Sequence, residues 1–551
     1  MNPRSGFKLL KQDLDISKSD TEKRTYTPYV ENRVHRAGLF WLNVSNTGWF
    51  GEPWTGALDP CTGKTASSGE LPGGSGIDYL WVAALWFGGY LESASVMVNN
   101  FPSTLFQGPL VSTAMDGSSG YSGEIQPYYF DDEPSGIKMG RIKETSVVEG
   151  RLSCLFEEVY DPKATAYEQF NTRYTDKGTD HDTWDFFDNR GHVPLGIEVK
   201  QVSYAWPYDY AKKFIIVDYT IYNRNKDKKD IYDFFMGLYV DSDVKNKNVH
   251  PWGHMDDLCG FIEKWNGYID PATGESKSVD MNLIWSADND GREYFTDDTG
   301  WALTGEPGAG SLLDGATGIF SIRVLRNPNP NLRYSFNLYN SGWDSESLDW
   351  GPRWQTGMHS DWQFDLTLKQ KGYDDTNYDN LLWYSTEPAF GGRTEGTPLG
   401  DKGRYMVMSN DEFDHNQTSI REVYLGMNTQ ANGTPIPQAD KWQKYTTPET
   451  LGQPGFSSDI IEGSVPDLND IANGTDERFV LSFGPLGNES YVNVAFDSDS
   501  DSLSLPDDFI NKKVWKFAYG DSLKLTLAYI VNENFHTSLD QDPNYADTAA
   551  V

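Results

Sequence analysis

Two stretches of strict two-residue alternation constrain this chain more than any other feature. In FIIVDYTIY, Phe214 to Tyr222, one face carries Ile215, Val217, Tyr219 and Ile221; in IYDFFMGLYV, Ile231 to Val240, one face carries Tyr232, Phe234, Met236, Leu238 and Val240. Successive side chains of an extended backbone point to opposite sides, so apolar residues at every second position require a strand with a buried face. An eight-residue polar connection, NRNKDKKD, joins the two runs. The spacing predicts an antiparallel hairpin over 214–240. Similar runs occupy Gly196 to Ala205, Thr317 to Leu325, Arg478 to Phe483 and Leu523 to Ile530. Amphipathic helical patterns are few. Strands without alternating helices predict a large, mainly β protein of the antiparallel β-sandwich type, with long decorated loops.

The organisation along the chain follows from composition. Residues 1–30 are polar and mixed in charge and read as an N-terminal arm. Residues 31–345 carry most of the alternating runs and read as the β-rich core. Residues 346–475 are rich in Gly, Pro, Asn and Thr and read as a loop-rich β segment. Residues 476–551 return to strands, expected to pack on the core sheets.

Charge excludes one class of partner. Asp plus Glu total 81 against 46 Lys plus Arg, a net charge of -35, and such a field repels a phosphate backbone. The basic stretch Arg224 to Lys229 is diluted by Asp227 and Asp230 and reads as a solvated loop. Disorder is no explanation for the charge, because 18 Trp and 31 Tyr are far more aromatic surface than a disordered chain carries. The apolar run Tyr79 to Tyr90 is too short to span a bilayer. The N-terminal residues lack the apolar core of a signal peptide, which favours the cytoplasm unless a leader has been removed. Three cysteines, Cys61, Cys154 and Cys259, permit one disulfide at most, and the absence of a CxxC pair argues against a thiolate zinc site.

Acidic loops are the places where chemistry could reside. Asp241 and Asp243 close the second alternating run, and Asp256 and Asp257 follow after a 12-residue loop. Four carboxylates so close repel one another unless a cation or an arginine neutralises them, and Ca2+ takes six to eight oxygens from flexible loops of this kind. Asp288 and Asp290, in the sequence Asp-Asn-Asp-Gly, resemble half of an EF-hand loop with Ser286 and Asp297 at its ends, and equally an ordinary turn. A third cluster joins Asp180, Asp182, Asp185 and Asp188 with His181 and His192. The pair His250 and His254 has zinc-like spacing, but Pro251 and Gly253 break the helix that would align the imidazoles. With 81 carboxylates the sequence selects no glycosidase pair. No nucleophile elbow, P-loop or dinucleotide fingerprint is present.

Several phrases, taken in order, resemble a family. These are Leu71 to Leu80 (LPGGSGIDYL), Leu85 to Gly89, Pro194 to Val199, Ser203 to Trp206, Gly237 to Asp243, Asp256 to Gly260, Asp349 to Pro352, Tyr405 to Ser409, Ser482 to Pro485 and Gly520 to Ser522. Over residues 37–535 the chain resembles large, secreted, mostly uncharacterised β-rich proteins of environmental Gram-negative bacteria. Many of these carry a signal peptide and a C-terminal sorting module, neither of which is recognisable here. The resemblance implies no catalytic residues. It implies an extracellular or cell-surface location, with the cytoplasm as the alternative. Together these readings give an exported, non-catalytic protein stabilised by Ca2+ at Asp241, Asp243, Asp256, Asp257, Asp288 and Asp290. Its expected partners are glycans or other surface proteins. The alternative is a carbohydrate-binding or carbohydrate-active protein, motivated by the aromatic content and the carboxylates.

Overall fold

The computed structural model describes residues 30–52, 58–98, 101–115, 123–127, 141–177, 184–185, 190–249, 253–288, 315–329, 332–339, 398, 400–409, 478–492, 494–496, 512–533 and 535. All of the predicted arm but Val30, nearly all of the loop-rich segment 346–475, and Asp290 lie outside these residues.

The first half of the described chain forms β1 (Asn32–His35), β2 (Trp41–Ser45), β3 (Trp49–Gly51), β4 (Gly69–Glu70), β5 (Ile77–Asp78), β6 (Val82–Val98), β7 (Phe101–Thr113), β8 (Gln126–Pro127), β9 (Lys143–Thr145), β10 (Glu168–Thr175), β11 (Trp184–Asp185), β12 (Arg190–Gly191) and β13 (Ile197–Ala205). There follow β14 (Phe214–Asn223), β15 (Ile231–Asp241), β16 (Lys245–Asn246), β17 (Asp257–Ile269), β18 (Ser276–Asp288), β19 (Ile319–Arg326), β20 (Arg333–Tyr339), β21 (Arg478–Leu486), β22 (Asn488–Val492), β23 (Val494–Phe496), β24 (Lys512–Phe517) and β25 (Ser522–Asn532). Among the described residues one α-helix, α1 (Gly400–Ser409), interrupts this pattern.

The strands build two large sheets, so the mainly β, sandwich-type expectation holds. One sheet runs β16-β5-β4-β2-β3-β6-β15-β21-β20, with β7 also on β6; the other runs β17-β18-β19-β25-β14-β13-β10-β8. Their facing sides share one apolar core. Phe50 of the first sheet meets Tyr529 of the second with ring centroids 4.7 Å apart. The C-terminal strands complete both sheets: β21 lies between β15 and β20, and β25 between β14 and β19.

The expected hairpin over 214–240 is not formed. β14 pairs with β13 and β25, whereas β15 pairs with β6 and β21 in the other sheet. Alternation shows which side chains are buried, and it shows that correctly: Ile215, Val217, Tyr219 and Ile221 are buried and their neighbours half-exposed. It does not reveal which strand lies alongside. The connection is an arch between sheets, held by its asparagines. Asn223 Nδ2 donates to the carbonyls of Lys229 at 3.0 Å and Phe517 at 2.9 Å, and Asn225 Nδ2 donates to the Leu195 carbonyl at 2.9 Å.

β15 is buried along nearly its whole length because α1 covers its second face. The Tyr405 hydroxyl donates to the Asp233 carbonyl at 2.6 Å. At the C-terminal end of α1, where carbonyls lack intrahelical partners, Asn337 Nδ2 donates to Val407 O at 2.8 Å and Ser482 Oγ to Met408 O at 2.9 Å. Two glycines admit the helix. A Cβ on Gly237 would lie 2.8 Å from Met408 Sδ, and one on Gly88 would overlap the Met408 methyl group. Gly237→Val therefore displaces α1 and costs about 1–3 kcal/mol as an overpacking substitution. Urea unfolding checks this; an unchanged midpoint would show that α1 does not bear on this strand.

Candidate functional site

The end of β15 gathers most of the predicted acidic residues into one buried charge cluster. Asp241 is the last residue of β15, and Asp243 follows in the turn to β16. Asp257 opens β17 directly opposite Asp288 at the end of β18. All four aspartates are buried. Sequence reasoning treated Asp288 as part of a separate turn motif; strand pairing brings it to Asp257. Asp256 belongs to the 3-10 turn Gly253–Asp256. The proposed EF-hand-like partner Asp297 lies outside the described residues, and Ser286 donates to Ser242 Oγ at 2.7 Å.

The neutralising charges come from the chain itself. Arg478 Nε stands 3.1 Å from Asp241 Oδ2, which also accepts the Tyr239 hydroxyl at 3.1 Å. Lys245 Nζ stands 2.6 Å from Asp243 Oδ2, and His254 Nδ1 is 3.0 Å from the same ammonium. The Val244 N–H donates to Asp257 Oδ2 at 2.8 Å. Burial pushes the Asp243 carboxyl up, but the charges of His254, Lys245 and Arg478 outweigh it and hold the group below its ordinary value. Burial pulls Lys245 down, and Asp243 more than reverses this. Arg478 is the residue that sequence reading missed, since nothing local connects it to Asp241. Among the described residues, no group of three or more His, Cys, Asp or Glu side chains is arranged to hold a metal ion.

The cluster continues through β16 into β5, where Lys245 lies opposite Asp78. Lys247 Nζ reaches Glu70 at 2.6 Å and Asp78 at 3.2 Å. Burial pushes Asp78 up to about 7, with Lys247 opposing and Glu70 adding to the shift. A carboxyl whose folded value is raised binds its proton more tightly in the native state. Its favourable contribution is present below the ordinary value of 3.8 and is lost as pH rises toward 7. Wild-type stability thus carries a decline of about 2–4 kcal/mol from this group between pH 4 and pH 8, and Asp78→Asn flattens it. Urea titrations at both pH values check the difference; identical slopes in the two proteins would reject it.

A second polar group has the bond pattern of a nucleophile, base and acid. His35 Nε2 is 2.7 Å from Ser203 Oγ, and His35 Nδ1 is 2.9 Å from Glu168 Oε2. Reacting groups must be reached by substrate, however, and His35 and Ser203 are 0% exposed. Phe170 stacks on the imidazole at 4.0 Å, and Ser203 sits in mid-strand opposite Phe170 and Val217. The arrangement is a satisfied core network. Glu168 also accepts the Arg36 N–H at 2.7 Å and Arg151 Nη2 at 3.1 Å.

Of the remaining predicted histidines and acids, His192 alone has a described side chain. His192 Nε2 lies 3.0 Å from the Asp176 carbonyl and its Nδ1 3.6 Å from Glu124. Asp185 lies on β11; Asp180, His181, Asp182, Asp188 and His250 fall outside the described residues. Two of the exposed aromatics that sequence reading could not separate from core stand side by side: Tyr208, 47% exposed, and Tyr210, 81% exposed. Their rings are near-parallel with centroids 5.6 Å apart.

These features define a class: a large antiparallel two-sheet protein with a buried ionic network and a disulfide between Cys61 and Cys154, whose Cα atoms are 5.4 Å apart. Cys259, the third cysteine, is buried. No protein-family model matches the chain, and no curated protein matches it. No helix among the described residues is long and apolar enough to cross a membrane.

Proposed function

We propose that the chain is an exported, non-catalytic β-sandwich protein acting at the cell surface or in the extracellular matrix. The observation that carries this reading is the Cys61–Cys154 disulfide, because such bonds persist in oxidising compartments and are rare in reducing ones. The -35 charge and the resemblance to secreted bacterial proteins support it. The burial of the Ser203, His35 and Glu168 group supports a non-catalytic role. Ca2+ enters as a proposed stabiliser of the overall negative charge rather than as a ligand of Asp241 or Asp243, whose charges Arg478 and Lys245 already meet. The test is fractionation of the native host with peptide mapping under non-reducing conditions. The expected result is chain in the extracellular or surface fraction with Cys61 and Cys154 joined. Chain confined to the cytoplasm with both thiols open to alkylation would overturn the proposal. Melting with millimolar Ca2+ against a chelator tests the calcium part: a higher melting temperature is expected with the ion, and no shift removes it.

A second reading, carbohydrate binding, is favoured by the exposed Tyr208 and Tyr210 rings, since aromatic faces pack against the apolar faces of sugar rings while staying partly wet. A glycan array with wild type and Tyr210→Ala discriminates: binding lost in the variant supports this reading, and silence in both removes it.

A further inference from the structure

The segment between β9 and β10 folds into a small, tightly bonded hairpin. Leu152 and Glu158 form a bridge. The Ser153 N–H donates to Glu157 O at 2.8 Å, and the Phe156 N–H donates back to Ser153 O at 3.0 Å. Ser153 Oγ accepts the N–H groups of Leu155 at 3.2 Å and Glu157 at 3.1 Å. The turn is fastened to a second loop by the Cys154–Cys61 disulfide. That second loop is itself anchored, because buried Asp59 accepts the Cys61 N–H at 3.0 Å and pairs with Arg36.

This rigid device holds Phe156 in the left-handed backbone region, at φ 64, which disfavours a bulky side chain and suits glycine or asparagine. The ring is 85% exposed, so the fold recovers almost no burial in return. Strain of this kind, enforced by the surroundings at a solvent-facing position, points to a role outside the fold. The ring is not isolated. Val147, Leu152, Leu155 and Tyr160 are 47%, 52%, 36% and 40% exposed on the same short segment, a concentration of apolar surface that marks interaction sites. From Val147 to Tyr160 the exposed charges are Glu149, Glu157 and Glu158, with the exposed Lys163 three residues beyond. Arg151, the cation within 147–160, is turned inward to Glu144 at 2.7 Å and Glu168 at 3.1 Å.

We propose that this hairpin is a docking surface for a partner protein that offers an apolar pocket for Phe156 and a Lys- or Arg-bearing rim for the three glutamates. Charge complementarity selects this occupant. An anionic lipid surface is repelled by the glutamates, and symmetric pairing of two copies sets like charges against each other. Basic groups around an apolar pocket satisfy both features at once.

The test places a photoreactive phenylalanine at the tip, Phe156→p-benzoylphenylalanine in the full chain, and irradiates cultures of the native host. The protein crosslinked there is then purified and titrated with wild type and with Phe156→Asn. The expected result is wild-type binding that weakens with added salt and falls at least tenfold in Phe156→Asn, whose melting temperature is unchanged or higher because asparagine accepts the backbone angle. Absence of a crosslink specific to position 156 overturns the proposal. So do crosslinking to a second copy of the chain or to lipid, and equal affinity of the purified partner for both proteins.

Discussion

Replacing Glu168 by alanine lowers the unfolding free energy by about 3–5 kcal/mol. Its carboxylate is the hub of a buried network: His35 Nδ1 at 2.9 Å, the Arg36 N–H at 2.7 Å and Arg151 Nη2 at 3.1 Å all converge on it. Removing the acceptor strands a buried imidazole and the Arg36 N–H and leaves the Arg151 guanidinium, 13% exposed, with Glu144 alone, and leaving buried polar groups without their partner costs more than the pair itself contributes. Burial pushes the Glu168 carboxyl up, but the bonds from His35, Arg36 and Arg151 outweigh it and hold the group below its ordinary value. A depressed carboxylate contributes stability above its unfolded value of 4.5, and that contribution is lost as pH falls through the lower folded value. Wild type should therefore lose stability on acidification below about pH 4.5 more steeply than Glu168→Ala. Neighbouring Glu144 runs the other way: burial, then the charge of Glu168, pushes it up. The variant relieves the second of these effects. Urea unfolding at pH 7 and in the acid range measures both predictions. A loss below about 1 kcal/mol would mean that the network is no stronger than a surface ion pair.

What the sequence discloses is what neighbours along the chain determine. β13, β14, β19 and β25 are legible because each writes its buried face largely in its own alternation, and β21 because it is an apolar run, though the structure buries it on both faces. The pairing of β14 with β25 was not, since Ile215 meets Tyr529 only through a long-range contact. The same divide runs through the charge cluster. Asp241, Asp243 and Asp257 could be grouped from sequence because they flank one connection, the one between β15 and β17. Asp288 joins them through the β17–β18 register, and Arg478 through the pairing of β15 with β21. Alternation also cannot distinguish a strand covered on one face from one covered on both, and so gave no sign that α1 lies over Gly88 and Gly237. Ser203, His35 and Glu168 come from three separate strands, and no spacing in the sequence marks them as a set.

Arg478→Met is expected to destabilise by a similar amount, about 3–5 kcal/mol, and the double variant Asp241→Asn with Arg478→Met to recover most of the loss. Asp241 is 2% exposed and Arg478 5% exposed. A buried ion pair adds little over a well-packed neutral replacement, whereas a buried carboxylate deprived of its guanidinium has no solvent to turn to. The recovery in the double variant thus separates the cost of an orphaned charge from any loss of packing by the arginine side chain. The same pair of variants tests how the acidic end of β15 is neutralised. With Arg478 as the counter-charge, the single variant is impaired whether Ca2+ or chelator is present. If a bound divalent ion were the counter-charge of Asp241, Arg478→Met in millimolar Ca2+ would lose less than about 1 kcal/mol, the scale of a solvent-screened ion pair, and the loss would emerge only on chelation. That outcome would return the carboxylates of this strand end to metal binding and displace the arginine from the role its 3.1 Å contact assigns it.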